Sequence, residues 1–554
     1  MTMQQRLGWQ EATPRNSLGQ LFPSLGRGDR RGRHKPHANR RWRPETMLLE
    51  DRMLLAGSPT PVGFTPAQVA TAYGINSIRL HGVIGNGAGQ TIAIVDFGND
   101  PTIASDLQAF DQHFGLPAPP SFTVVNQNGQ TAPLPPNTNG TNGESGETSM
   151  DVEWAHAIAP EASIVLVEGI SVTSTMDQVT AIRTAANYPG VSVVSMSFGE
   201  PEFAGEQAFD SVFTTPPGHT PVTFLASTGD SSTGINNGAY PAFSPNVLAV
   251  GGTTLSLNPN NSYKGEVVWN INNQPGDVDS GGISKYELEP AYQQGFNPTS
   301  RRTIPDVSIL AGTDATNPGT PIGSVSNTGS GVVTYDSFQN GSATAAANPW
   351  YQNGGTSLSV QIWGGLIAIG DQLRQSVGEA PLSTSQALNT LYSLPSSAFH
   401  DITVGHNLVP YYAGLGYDLV TGRGSPVANL LVPALAGPVL TSLQREGIHQ
   451  QTTIDLSFFD ALDPGSARDR GNYTLLAEGP HGGFFHQIRL RSARYNAATQ
   501  TVVLAPERLS LNLTYELLVR GTPPHGLKGA KGIPLVGGNQ KVIFSGFTPS
   551  RPVT

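Results

Sequence analysis

The chain has 554 residues, a formal net charge of −10 and a charged fraction of 13%, against roughly a quarter in an average globular protein. It contains no cysteine, which excludes disulfides, thiol catalysis and zinc–thiolate sites. An acidic, weakly charged surface does not suggest nucleic-acid binding, and no apolar run approaches about 18 residues, so no transmembrane segment is expected.

Residues 1–60 stand apart. Arg27, Arg30, Arg31, Arg33, Lys35, Arg40, Arg41 and Arg43 make a basic, apolar-poor stretch that reads as disordered and solvated. An ordinary signal peptide needs about 7 to 15 consecutive apolar residues, and none is present. Leu49-Glu50-Asp51-Arg52 with Leu54-Leu55-Ala56 resembles a leader motif on exported proteins of one bacterial group, so an extracellular or cell-surface location is expected. The same segment also reads as a short amphipathic linker helix.

From 61 to 436 apolar runs alternate with helical patterns. Gln90 to Phe97, Ala162 to Glu168, Val191 to Phe198, Pro221 to Ala226 and Val247 to Gly251 read as strands. Thr175 to Asn187 and Glu206 to Phe213 read as helices. This alternation predicts an α/β domain with a mostly parallel, doubly wound sheet.

Several polar residues punctuate it. Asp96 ends the first strand, as either a site neighbour or a plain strand-end residue. Between Gly146 and Pro160, Met150, Val152, Ala155 and Ala159 give a helix its apolar side, and Pro160 stops it. Glu147 and Asp151 are four apart and share a face. Two carboxylates so close share a proton and can take one from a hydroxyl in acid. A solvated acidic face, with Glu153 and Glu161 nearby, is the other meaning of the pair. Asp230, in Ser227-Thr228-Gly229-Asp230-Ser231, suits an Asx turn. In Gly355-Thr356-Ser357, glycine permits a tight turn, and Ile362, Trp363, Leu366 and Ile367 continue as a buried helix. Ser357 is then either an N-cap or a nucleophile at the positive end of a helix dipole. No histidine, among them His81, His113, His156 and His219, sits in a motif that marks it as a base.

After Gly437 the texture changes to short strands: Thr453 to Phe458, Thr501 to Leu504 and Tyr515 to Val519. Asp463-Pro464-Gly465, Gly479 to Gly483 and Asn496-Ala497-Ala498 read as turns or loops. Residues 437–554 are expected to form an Ig-like β-sandwich that stabilises or spaces, with no catalytic set of its own.

Taken together, Gly-Glu147-x-x-x-Asp151-x-Glu, Asp230 in its Gly-Asp-Ser turn and Ser357 in Gly-Gly-Thr-Ser resemble the sedolisins, the serine-carboxyl peptidases. They occur in the family's order. Phe64 to Val69, Tyr240 to Pro245, Val250 to Thr253 and Pro305 to Ser308 extend the similarity across about residues 61–436. The resemblance implies a subtilisin-like fold and a secreted, monomeric endopeptidase acting on proteins or peptides. Ser357 would be the nucleophile, Glu147 its base, Asp151 the residue orienting Glu147, and Asp230 the protonated oxyanion donor. A carboxylate base shifts the working range to acid, about pH 3 to 5. The resemblance further implies a calcium ion held by the Asp401 and Asp418 side chains and the carbonyls of Ile402, Gly414 and Gly416, an all-oxygen set suited to a hard cation. It also suggests a carboxylate at Asp96 touching the catalytic Glu.

Three departures stand against it. Gln361 replaces a proline usual four residues after the serine, altering the helix start while removing no reacting group. Phe198 replaces a frequent Trp. Relatives carry a long folded prosegment, and residues 1–60 are too short and basic for one. The departures leave an alternative, a non-catalytic surface or adhesion protein that keeps a peptidase fold.

Overall fold

The computed structural model describes residues 63–552 except 81, 138–143, 231–237, 271–277, 297–298, 313–330, 339–348, 377, 409–410, 439, 447–451, 459, 480–482, 511, 523–524, 531, 533, 536–537 and 546–549. The basic stretch and its leader-like motif lie outside the described residues. Helix α1 (Pro66–Ala72) opens the described chain, with proline in its first turn and a capping box between Thr65 and Gln68.

The five apolar runs read as strands join one eight-stranded sheet with three strands the sequence reading did not mark, Phe122–Asn126, Tyr263–Val268 and Val307–Gly312. In chain order these are β1 (Thr91–Phe97), β2 (Phe122–Asn126), β3 (Ser163–Gly169), β4 (Val191–Met196), β5 (Thr223–Ser227), β6 (Leu248–Leu257), β7 (Tyr263–Val268) and β8 (Val307–Gly312). Their spatial order is β7-β6-β5-β4-β1-β3-β2, and β8 also pairs with β6. Every pairing is parallel except β6 with β7. Alternate residues of β1 explain why both faces are covered. Ile92 and Ile94 enter one core cluster, while Ala93 and Val95 enter the other.

Helices flank the sheet: α2 (Ile103–Phe114), α3 (Glu144–Ile158), α4 (Thr175–Asn187), α5 (Thr356–Ser376), α6 (Thr384–Ser393) and α7 (Ala428–Ala434). Helix α4 has the expected bounds, whereas Glu206–Phe213 winds as a tighter 3-10 helix. Helix α5 is buried from Thr356 to Arg374, as an all-round apolar helix must be. It lies close on α3 because residue 365 is glycine. A Cβ there would stand 2.6 Å from Ile158 Cγ2. Gly365→Ala would push apart the two helices that carry Ser357 and Glu147.

Beyond Gly437 the described strands form a five-stranded and a four-stranded antiparallel sheet over one shared apolar core. One expected turn differs. Asp463 caps a short helix, α8 (Pro464–Arg468), by accepting from the Ser466 amide, because proline fits the first helical turn. Asp460 makes a bidentate pair with Arg374 near the far end of α5, at 3.0 and 3.3 Å, with both residues buried. The boundary near Gly437 is therefore crossed by a buried ion pair.

Candidate active site

The expected site residues meet at the carboxyl ends of the parallel strands, the edge where open α/β sheets hold ligands. Asp96 is near the end of β1, Ser197 follows β4 and Asp230 follows β5. Glu147 and Asp151 come from α3, and Ser357 is the second residue of α5.

The turn into α5 explains the placement of the serine. Gly355 has φ +98°, and a side chain there would strike the Asp230 carboxylate. Thr356 then donates to Asp230 Oδ1 twice, from its amide at 2.9 Å and from its hydroxyl at 2.6 Å. Asp230 thus sits at the start of a helix, where amide groups point outward. The buried Ser357 hydroxyl donates towards the Ser197 carbonyl at 3.4 Å and lies beside the Glu147 carboxyl, whose ionised form it favours.

Behind Glu147 lies Asp151, fully buried. Its Oδ2 accepts from the Ser197 hydroxyl and, at 2.6 Å, from Gln361 Nε2. Its Oδ1 has no partner among the described residues. Asp96 hydrogen-bonds the hydroxyls of Thr148 and Ser197. Burial is the main electrostatic influence on this trio. It pushes Glu147 up to about 8, with the serine hydroxyls restraining the rise and Asp96 and Asp230 adding to it. Burial raises Asp96 to about 7 and carries Asp151 well above the usual carboxylate range. Such groups titrate as a unit.

The solvated-face meaning of the α3 carboxylates does not hold. Glu153 is fully buried and accepts from the Tyr335 amide at 3.0 Å. The hairpin of β9 (Val332–Tyr335) and β10 (Trp350–Asn353) covers that side of the helix. The described histidines are engaged elsewhere. His156 contacts Asp111 and the Pro117 carbonyl, His219 bonds backbone carbonyls and His113 packs on Trp350. His81 lies outside the described residues.

Two residues at this site escaped sequence reasoning. Ser197 donates to Asp151 and favours the ionised forms of Asp96 and Glu147. Gln361, expected only to alter the helix start, sits inside α5 and binds Asp151. Phe198 packs edge-on to Phe97, with ring centroids 4.9 Å apart, and takes no part in these hydrogen bonds.

Four of the five proposed metal residues are linked in pairs by hydrogen bonds. The Gly416 amide lies 3.1 Å from Asp401 Oδ2, and the Gly414 amide 2.9 Å from Asp418 Oδ2. Among the described residues, no hydrogen bond reaches the carbonyls of Ile402, Gly414 or Gly416. A separate buried cluster, Asp100, Asp106 and Asp336, was not singled out in the sequence. One carboxylate oxygen of each lies within 4.8 Å of the others, and each is hydrogen-bonded by neighbouring hydroxyls or amides.

No protein-family profile matches the chain. It is 32% identical over 438 residues to kumamolisin of Bacillus sp. (strain MN-32), spanning 76% of this chain and 71% of that protein. To sedolisin of Pseudomonas sp. (strain 101) it is 28% identical over 403 residues, spanning 68% and 61%. The solved structure of Pseudomonas sedolisin, complexed with two molecules of pseudo-iodotyrostatin, matches with a TM-score of 0.54 at 27% identity, covering 67% of this chain and 98% of that one. With Ser357, Glu147, Asp151 and Asp230 gathered at one sheet edge, the chain belongs to the sedolisin family of serine-carboxyl peptidases.

Proposed function

We propose that the chain is an exported, monomeric, acid-acting endopeptidase that hydrolyses peptide bonds of proteins. The placement of the Ser357 hydroxyl beside the Glu147 carboxyl carries this reading, because a serine needs a base within reach. Ser357 Oγ attacks the peptide carbonyl and its proton passes to Glu147. Asp151, coupled to Glu147 through charge rather than through a direct hydrogen bond, shares the proton balance of the pair. Asp230, protonated, donates to the developing oxyanion, since an ionised carboxylate there would repel it. Glu147 then returns its proton to the leaving amine, and water repeats the sequence on the acyl-enzyme.

The pH window follows from these roles. Activity needs an ionised base in the Asp96–Glu147–Asp151 group together with a protonated Asp230; acid action is what the family resemblance implies, whereas burial alone draws the base towards neutrality. Calcium suits the Asp401–Asp418 loops as an all-oxygen site, where it would stiffen turns within the catalytic domain. Residues 61–436 form the peptidase domain and 437–554 an accessory module. A denatured protein digested from acid to mildly alkaline pH, by wild type and by Ser357→Ala, tests the reading. Activity peaking near pH 8 would point to a different base, and a folded but inert wild type would support the non-catalytic surface protein. Sequencing the fragments from an amino-terminally blocked peptide separates internal cleavage from release of terminal peptides.

A further inference from the structure

Asp151 carries the most lopsided hydrogen bonding at the site. Both donors that reach it, the Ser197 hydroxyl and Gln361 Nε2, meet the same oxygen, Oδ2. The other oxygen, Oδ1, is buried and has no partner among the described residues. Gln361 is itself fully buried, and its own Oε1 is likewise unpartnered. A buried amide held on one side only is costly unless its single bond matters, because the unpaired carbonyl has lost its water. Its donor end can do one thing to a carboxyl group: stabilise the ionised form at the bonded oxygen and leave any proton to the opposite one.

We infer that Gln361 is a positioning residue for proton transfer, seating the Asp151 proton on Oδ1 and easing ionisation of the carboxyl group behind Glu147. This rests on the serine-carboxyl reading above. The titratable groups facing Asp151 are Asp96 from β1 and Glu147 from its own helix. Ser197, from the loop after β4, and Gln361, from α5, supply the neutral contacts. Neither neighbour is a cation. The amide of Gln361 is therefore one of only two identified groups that offset the charge, and its contact favours the ionised form.

The sign of the effect is fixed by this geometry. Losing the Gln361 donor makes the carboxyl group harder to ionise, so the base form appears at higher pH. The rising, acid limb of kcat/KM moves upward by about one pH unit, the size expected for one hydrogen bond to a charged group. The falling limb, set by Asp230, stays in place.

The experiment compares pH profiles of kcat and kcat/KM for the full chain carrying Gln361→Met, which keeps the side-chain length and removes the donor. Ser357→Ala is the control for the underlying reading. The expected result is about a tenfold loss on the acid limb, little loss at the plateau and an unmoved alkaline limb. Gln361→Glu adds a rescue. It donates only while protonated, so its activity relative to wild type should be highest at the acid end and fall as pH rises. If Gln361→Met does not fold, that falling ratio alone decides. A profile that superimposes on wild type, or a loss equal at every pH, overturns the inference. Inactive wild type, or full activity in Ser357→Ala, would instead remove the catalytic reading itself.

Discussion

Two of the regions that bury acids in this molecule handle the charge in opposite ways. Beneath β8, Asp306 receives both arms of Arg302 at 2.6 Å, and both side chains are fully enclosed. Tyr392 donates to the same carboxylate at 2.7 Å. At the catalytic edge, the described residues that favour the charged forms of Asp96, Glu147 and Asp151 are hydroxyls and one amide. The first acid is neutralised within the fold and serves structure. The second group has no cation among its identified contacts, so protonation is its means of relief. A site that must exchange protons is built from the second arrangement, because a guanidinium would pin its charge.

The largest test of this contrast is at the catalytic edge. Ser357→Ala and Glu147→Gln should each lower kcat/KM by on the order of 10³-fold or more, and the double variant by little beyond that, since the two act as one unit. Single-turnover assays would read it, and additive losses would break the pairing. Asp306→Ala is the structural counterpart. It strands a buried guanidinium and should destabilise the fold by roughly 3–5 kcal/mol in denaturant unfolding. Asp151→Asn should leave the unfolding midpoint close to wild type while activity falls, because no cation depends on that charge.

Stability against pH gives the third test. Burial raises Asp100 to about 6, Asp96 to about 7 and Glu168 to about 8. The folded state therefore prefers these groups protonated. Their stabilising contribution is complete below the ordinary carboxylate value of about 4 and is lost as pH rises through about 6 to 8. The melting temperature should fall across that window. A curve rising from pH 4 to pH 8 would contradict the protonated-cluster picture. The smallest effect concerns the calcium loops. A site saturated a hundredfold contributes about 2.7 kcal/mol. Chelator should lower the melting temperature of wild type and leave Asp418→Ala unmoved, and an unchanged wild type would remove the assignment.

The sequence made the sheet legible because central parallel strands are apolar on both faces. Runs such as Ile92-Ala93-Ile94-Val95 have few other homes. Spacing also placed Glu147 and Asp151 on one face of α3. Ser197 and Gln361 were not legible, because their role exists only across contacts. They meet Asp151 from 46 and 210 residues away. The fate of Glu153 was hidden for the same reason. Its donor, the Tyr335 amide, arrives 182 residues later on a covering hairpin.

The Arg374–Asp460 pair has a consequence for the order of synthesis. Helix α5 begins at the nucleophile and, near its other end, buries a guanidinium whose carboxylate partner emerges 86 residues later. A nascent chain lacking residue 460 holds that cation without its counter-charge, so the last turn of α5 is under-stabilised until the accessory module has been made. The far end of the helix that presents Ser357 is therefore fully paired only once residue 460 has been made.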